Sequence, residues 1–183
     1  VYDFGEDNIV DEVQSNGEYY ISIDYGTMNP FSAGLWCVLG DKATRIKEYY
    51  YNGREKAVQR TDEDYCDSVE ELAKGYNIRQ IVVDPSAASF IAALRRRGFT
   101  IRKANNDVLD GIRRTAVYLK NGNIKIHRSC VDAIAEFGLY RWDDKATDDT
   151  VIKENDHAMD DIRYFCNTIM KNKVRKESNY TPI

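Results

Sequence analysis

The chain has no long hydrophobic run. Its longest apolar stretch, Phe31 to Gly40, falls well short of the roughly 20 residues that span a bilayer. No charged-then-apolar leader opens it, so no secretion signal and no membrane partner are expected. The start, Val1-Tyr2-Asp3-Phe4, is not a methionine, as expected for a piece of a longer protein. There is no repeat and no low-complexity segment. Four cysteines (Cys37, Cys66, Cys130, Cys166) lie 29, 64 and 36 residues apart. No pair has zinc-ligand spacing, so they read as free thiols of a reducing compartment.

What remains is 183 residues, 43% hydrophobic and 31% charged, enough for one soluble domain with a sizeable core. The net charge of -4 alone argues against a polyanionic partner, but the distribution does not. From Ile91 to Arg128 stand ten basic residues (Arg95, Arg96, Arg97, Arg102, Lys103, Arg113, Arg114, Lys120, Lys125, Arg128), opposed only by Asp107 and Asp110. The rest of the chain holds 16 basic and 28 acidic residues. A local basic excess can meet phosphates on an acidic protein, or it can be an ordinary solvated face.

Residues 1–18 are polar and acidic and read as a linker or arm. Glu18 to Asp24 alternates as a strand. Short turns at Gly26-Asn29-Pro30 and Gly40-Asp41 then lead to strands over 33–39 and 44–51, an antiparallel meander. Helix 61–74, capped by Thr61, precedes the unalternating strand Ile78 to Val83, which should be buried on both faces. Helix 86–97, strand 100–103, helix 107–120, strand 124–127 and helix 130–140 follow. A polar loop covers 141–156. The last helix, 157–170, places Ala158, Ile162, Phe165, Cys166 and Ile169 on one face, and a basic tail from Lys171 or 172 to 183 is expected to fray. Three antiparallel strands followed by strand–helix alternation make an α/β domain, a mixed sheet with helices on both faces. Its first and fourth strands can then lie side by side, bringing Asp24 and Asp84 together at a position where open α/β sheets often bind ligands.

Three aspartates stand out. Asp24 ends Tyr-Tyr-Ile-Ser-Ile-Asp, Asp84 ends Ile-Val-Val-Asp, and Asp160 lies early in the last helix. A carboxylate at the end of a buried strand is costly to desolvate unless a cation or hydrogen bonds compensate it. Each has a purely local alternative. Asp24 can cap its own turn, Asp84-Pro85-Ser86 is a good helix start, and Asp156, Asp160 and Asp161 favour a helix N-terminus. His157 shares a face with Asp160 and Asp161. Taken together, the set suggests a hard divalent metal site.

Ile21-Ser22-Ile23-Asp24-Tyr25-Gly26, Ile81-Val82-Val83-Asp84-Pro85-Ser86-Ala87 and Lys153-Glu154-Asn155-Asp156-His157-Ala158-Met159-Asp160-Asp161-Ile162-Arg163-Tyr164 resemble the C-terminal nuclease domain of phage terminase large subunits. The resemblance covers about residues 19–170 in order and spacing, within a nuclease domain expected over 19–171. It implies a ribonuclease H-like fold and an endonuclease that cuts concatemeric viral DNA during packaging, in the host cytoplasm. It implies two divalent ions, Mg²⁺ or Mn²⁺, held by Asp24, Asp84 and Asp160, with His157 assisting catalysis or touching a metal. Asp161, where the family usually has a small residue, is a further candidate ligand. Double-stranded DNA is the implied substrate, and Arg102, Lys103, Arg113, Arg114 and Lys120 of the basic 91–128 segment are the candidates to meet it. The implied partners are an ATPase domain, whose Gly-x-x-x-x-Gly-Lys-[Ser/Thr] motif is missing here, a small terminase subunit and a portal.

Other readings are a non-catalytic DNA-binding or packaging module on the same fold, and an ATP-binding domain of the actin and Hsp70 type. The second would need two such domains and a Gly-rich adenosine loop. A transposase or junction-resolving enzyme would share the fold and the metals.

Overall fold

The computed structural model describes residues 1–174. A seven-stranded mixed sheet forms the centre, in the order β1-β7-β4-β3-β2-β5-β6. Strands β2 (Glu18–Asp24), β3 (Phe31–Leu39) and β4 (Lys42–Tyr51) are the antiparallel meander. β5 (Ile78–Val83) lies parallel against β2, and β6 (Ile101–Lys103) parallel against β5. β7 (Ile124–His127) pairs parallel with β4 at the other side.

The period-two alternation of β2 decides where the site forms. Ile21 and Ile23 enter one core, together with α2 (Asp62–Ala73) and α3 (Ala88–Arg96). Tyr20 and Ser22 face the opposite side, against α6 (His157–Thr168). Asp24 continues that second set and points towards α6. β5 repeats the pattern. Ile81 and Val83 join the first core and Val82 the second, so Asp84 also falls on the α6 side.

Thr61 caps α2 in a reciprocal capping box with Asp64, and Asp107 caps α4 (Val108–Lys120). The last helix departs from the expected single apolar face. Every residue of α6 from Ala158 to Thr168 is buried, because α4 and α5 (Val131–Leu139) cover the side turned away from the sheet. Its polar residues therefore had to find partners inside the protein.

Of the first eighteen residues, read from composition as a linker or arm, the first ten pack onto the domain while 11–16 are exposed. β1 (Ile9–Val10) pairs parallel with β7, the Asn8 amide donates to Leu119 O, and Phe4 stacks on Phe137. Nothing in their polar composition marks a two-residue edge strand. A four-residue helix, α1 (Gly53–Lys56), also escaped the sequence reading. Helix α3 begins at Ala88, two residues later than the Asp84-Pro85-Ser86 signal suggests. The expected fraying tail lies outside the described residues from 175 onward, while Met170–Asn172 form a short 3-10 turn.

Candidate active site

The parallel register Ile23↔Val83 puts Asp24 and Asp84 at adjacent strand ends, and the first two turns of α6 pack above them. His157, Asp160, Asp161 and Tyr164 follow the spacing that places side chains on one helix face. His157 Nδ1 lies 2.9 Å from Asp24 Oδ2. Tyr164 donates its hydroxyl to Asp84 Oδ2 at 3.3 Å. Asp160 Oδ1 accepts from Arg163 Nη2 at 2.9 Å, and its Oδ2 faces Lys153 Nζ at 3.4 Å. Asp24, Tyr25, Asn29, Lys153, Asp156, His157 and Asp160 line a cleft of about 260 Å³. A larger cleft, about 1590 Å³, opens beside the β3–β4 hairpin and holds none of these groups.

Asp24 and Asp84 sit in different electrostatic surroundings. Burial first, and the nearby charges of Asp160 and Asp161, push the Asp24 carboxyl up to about 7, despite the hydrogen bond from His157. Burial works against the His157 imidazolium too. The bond and charge of Asp24, with Asp156 and Glu136, outweigh it and raise His157 above its ordinary value. Asp84 is also partly desolvated, but the N–H of Ser86, the Asn106 amide and the Tyr164 hydroxyl outweigh that and hold its carboxyl low. One Asp84 oxygen thus serves the local turn, as its sequence context suggested, while the other faces the site.

Asp161 belongs to a different structure. Fully buried, it accepts hydrogen bonds from Ser22 and Ser32 at 2.8 and 2.5 Å and from both Nη atoms of Arg45 at 2.5 and 3.1 Å. Arg45 crosses beneath β3 where Gly34 leaves room; a Cβ there would collide with Nη1. The ion pair continues into a closed ring. Arg45 also meets Glu48, which accepts the N–H groups of Asp132 and Ala133 at the start of α5. Glu136 of α5 accepts the N–H groups of Ala158 and Met159 at the start of α6, and α6 returns through Asp161 to Arg45. The expectation of Asp161 as a possible metal ligand gives way to this arrangement, since its lone pairs are spent holding α6 to the sheet.

Two groups in the cleft were not singled out from sequence. Asp156, read only as a helix-start charge, lies 3.7 Å from His157 Nε2 and 3.4 Å from Lys153 Nζ. Lys153 carries a raised pKa: Asp160 and Asp156 outweigh the desolvation that opposes its charge. The basic segment is scattered. Arg97 is bound by Glu63, Asp67 and Glu70, Arg96 by Glu63, and Arg128 by Glu6 and Asp11, all outside the segment. Arg114 donates to Asn167. Arg102 lines a small cleft with Arg79 and Lys173. Lys120 ends α4 beside the N-terminal segment. Arg113 is 69% exposed, and Lys103, registered with Val83, is the candidate cation placed beside Asp84.

As they stand, no three acidic, imidazole or thiol groups among the described residues converge closely enough to hold an ion. The donor set nevertheless suits a hard divalent cation. Carboxylates and one imidazole face a common cleft, Asp24 lacks a full cationic partner, and the Lys153 ammonium already stands between Asp156 and Asp160.

A family model, the terminase RNaseH-like domain, matches residues 21–168. The chain belongs to that family. The large terminase of the thermophilic bacteriophage D6E, solved in complex with ADP, is 40% identical, with a TM-score of 0.88, over 91% of this chain and 44% of that one. The terminase large subunit of Escherichia phage T5 is 25% identical over 164 residues, 85% of this chain and 36% of that protein. This chain thus spans less than half of either relative. The P22 large terminase nuclease domain shares the fold at 16% identity and a TM-score of 0.74, over 95% and 93% of the two chains. The large terminase nuclease of thermophilic phage G20c, solved with bound cobalt, shares it at 13% and 0.65, over 85% and 83%. The ribonuclease H-like mixed α/β sheet expected from sequence is the fold observed. Among the described residues no helix is long and apolar enough to cross a membrane.

Proposed function

We propose that this terminase domain is a divalent-metal-dependent DNA endonuclease that cuts concatemeric viral DNA during packaging. The observation that carries the reading is the meeting of Asp24, Asp84 and the His157–Asp160 turn, from three distant segments, at one end of the sheet. The cobalt bound to the G20c nuclease supports the same donor chemistry here. Membership of the family removes the actin-like alternative.

Asp24, Asp84 and Asp160 would hold the ions, proposed as two of Mg²⁺ or Mn²⁺, with His157 and Asp156 as neighbouring donors. Bound there, such ions supply positive charge at the scissile phosphate and lower the pKa of the attacking water. The residues contribute the rest. Asp24 accepts from Nδ1 of His157, which leaves Nε2 as the atom that takes or returns a proton. Tyr164 and Asn106 fix the Asp84 carboxylate, and Arg163, itself bound to Asn106 O and Asp107 O, fixes Asp160. Lys103 and Arg113 would meet DNA phosphates, which positions a duplex without reading its sequence. An ATPase domain, a small subunit and a portal would act with the whole protein.

A non-catalytic packaging module is the second reading, favoured by the fact that both Asp160 oxygens already carry partners. Plasmid nicking separates the two. Wild type should nick supercoiled DNA with Mn²⁺ or Mg²⁺ and stop in excess chelator, and Asp24→Asn should be inactive. Absence of metal-dependent nicking by wild type, or equal nicking by Asp24→Asn, would overturn the nuclease reading.

A further inference from the structure

Lys153 departs from the ordinary surface ion pair in three respects. Its ammonium is 3.4 Å from Asp156 Oδ2 and 3.4 Å from Asp160 Oδ2, so one cation serves two carboxylates. Those carboxylates are 5% and 10% exposed, whereas the lysine side chain is 61% exposed. And the lysine stands on the irregular segment between the Trp142↔Val151 bridge and α6, outside any helix or strand.

The two oxygens of Asp160 are held in contrasting ways. Oδ1 is bound by Nε and Nη2 of Arg163, whose side chain is buried and anchored to two backbone carbonyls. That contact cannot exchange without repacking the helix. Among the described residues, Oδ2 meets only Lys153. A lysine ammonium is a hydrated point charge on a flexible stem, suited to exchange, while a planar guanidinium is suited to a fixed fork. Asp156 and Asp160 lie one helical turn apart, so their charges repel unless a cation stands between them.

We infer that Lys153 is a tethered cation that neutralises the Asp156–Asp160 pair in the metal-free domain and must be displaced when a divalent ion binds, so that it sets the metal affinity of the site. The inference rests on the metal-binding reading above. It assigns Asp156 to the metal-responsive side of the cleft. It also divides the basic groups at Asp160 into a permanent anchor, Arg163, and an exchangeable occupant, Lys153. Displacement leaves the ammonium beside the cleft, free to meet a phosphate of the DNA.

The test measures Mn²⁺ affinity of the 183-residue chain by calorimetry and by the spin-resonance signal of free Mn²⁺, without DNA, for wild type, Lys153→Met, Lys153→Gln and Lys153→Arg. Removing a competitor worth about one exposed ion pair should tighten Mn²⁺ binding by about two- to fivefold in the Met and Gln variants. The Arg variant should bind no more tightly than wild type. Thermal melts give a second readout that a merely structural lysine would not produce. The Met and Gln variants should melt lower than wild type in chelator, yet match it in saturating Mn²⁺. Unchanged or weaker Mn²⁺ affinity in both neutral variants would overturn the role of Lys153, as would an equal loss of melting temperature with and without Mn²⁺. If wild type and all variants bind no Mn²⁺ at all, the metal-binding reading itself falls, a result distinguishable from equal affinities.

Discussion

Replacing Asp24 with asparagine should stabilise the metal-free domain above neutral pH while removing its response to Mn²⁺. Burial first, then the charges of Asp160 and Asp161, raise the Asp24 carboxyl from 3.8 to about 7. A group whose folded pKa is raised binds its proton more tightly in the folded state. Its contribution is therefore fully present below the unfolded value of 3.8 and is lost as pH rises through about 7. At about 1.4 kcal/mol per pH unit, the full swing has a ceiling of about 4 kcal/mol. His157, also raised, runs in the same direction: its contribution is present below its unfolded value of 6.5 and lost as pH rises through its folded value. The asparagine removes the carboxylate but also removes the charge that supports His157, so a net gain of about 1–3 kcal/mol above pH 8 is expected. For a domain of this size that corresponds to a rise of about 2–12 °C in melting temperature, at about 2–4 °C per kcal/mol. The assay is thermal unfolding in chelator from pH 5 to 9, repeated with Mn²⁺. The variant's melting curve should lie above wild type at pH 8.5, and the gap should narrow as the pH falls to 5. Wild type should gain about 2.7 kcal/mol at a Mn²⁺ concentration one hundred times its Kd, and the variant far less. A variant that melts below wild type at pH 8.5 in chelator, or that gains as much from Mn²⁺, would refute the reasoning.

Neighbouring aspartates should fail differently. Asp160→Asn keeps one oxygen for Arg163 and relieves the repulsion with Asp156, so it should stay folded and lose cleavage, whereas Asp161→Ala leaves Arg45 buried with Glu48 as its remaining carboxylate and should lose about 3–5 kcal/mol in urea unfolding. Glu136→Ala orphans two N–H groups at the start of α6 and the Tyr50 hydroxyl, so a loss of about 1–3 kcal/mol for each buried group left unsatisfied is expected in the same assay. In DNA-binding titrations at several salt concentrations, Lys103→Ala and Arg113→Ala should each flatten the log–log salt slope by about one, equally for unrelated sequences. Arg97→Ala, held by α2, should leave the slope unchanged.

Much of the site follows from local pattern. Alternation along β2 and the apolar run Ile81-Val82-Val83 that closes β5 each lead into an aspartate, and both ends lie where a mixed sheet presents its strand termini. The 3.6-residue period put His157, Asp160 and Asp161 on one side of the last helix. Local pattern has no means of telling Asp160 from Asp161, because their partners come from elsewhere. Arg45 lies 116 residues from Asp161, and Ser22 139 residues away. The same holds for Glu136, which reads as an ordinary helical glutamate until α6 arrives with its free N–H groups. The charge count of 91–128 was correct as arithmetic, yet Glu6, Asp11, Glu63, Asp67 and Glu70 spend part of it from outside the segment. Sequence periodicity determines which face a side chain takes on its own element. Which carboxylate is left facing the cleft, and which is consumed in holding the helix, depends on the groups that packing brings opposite that face.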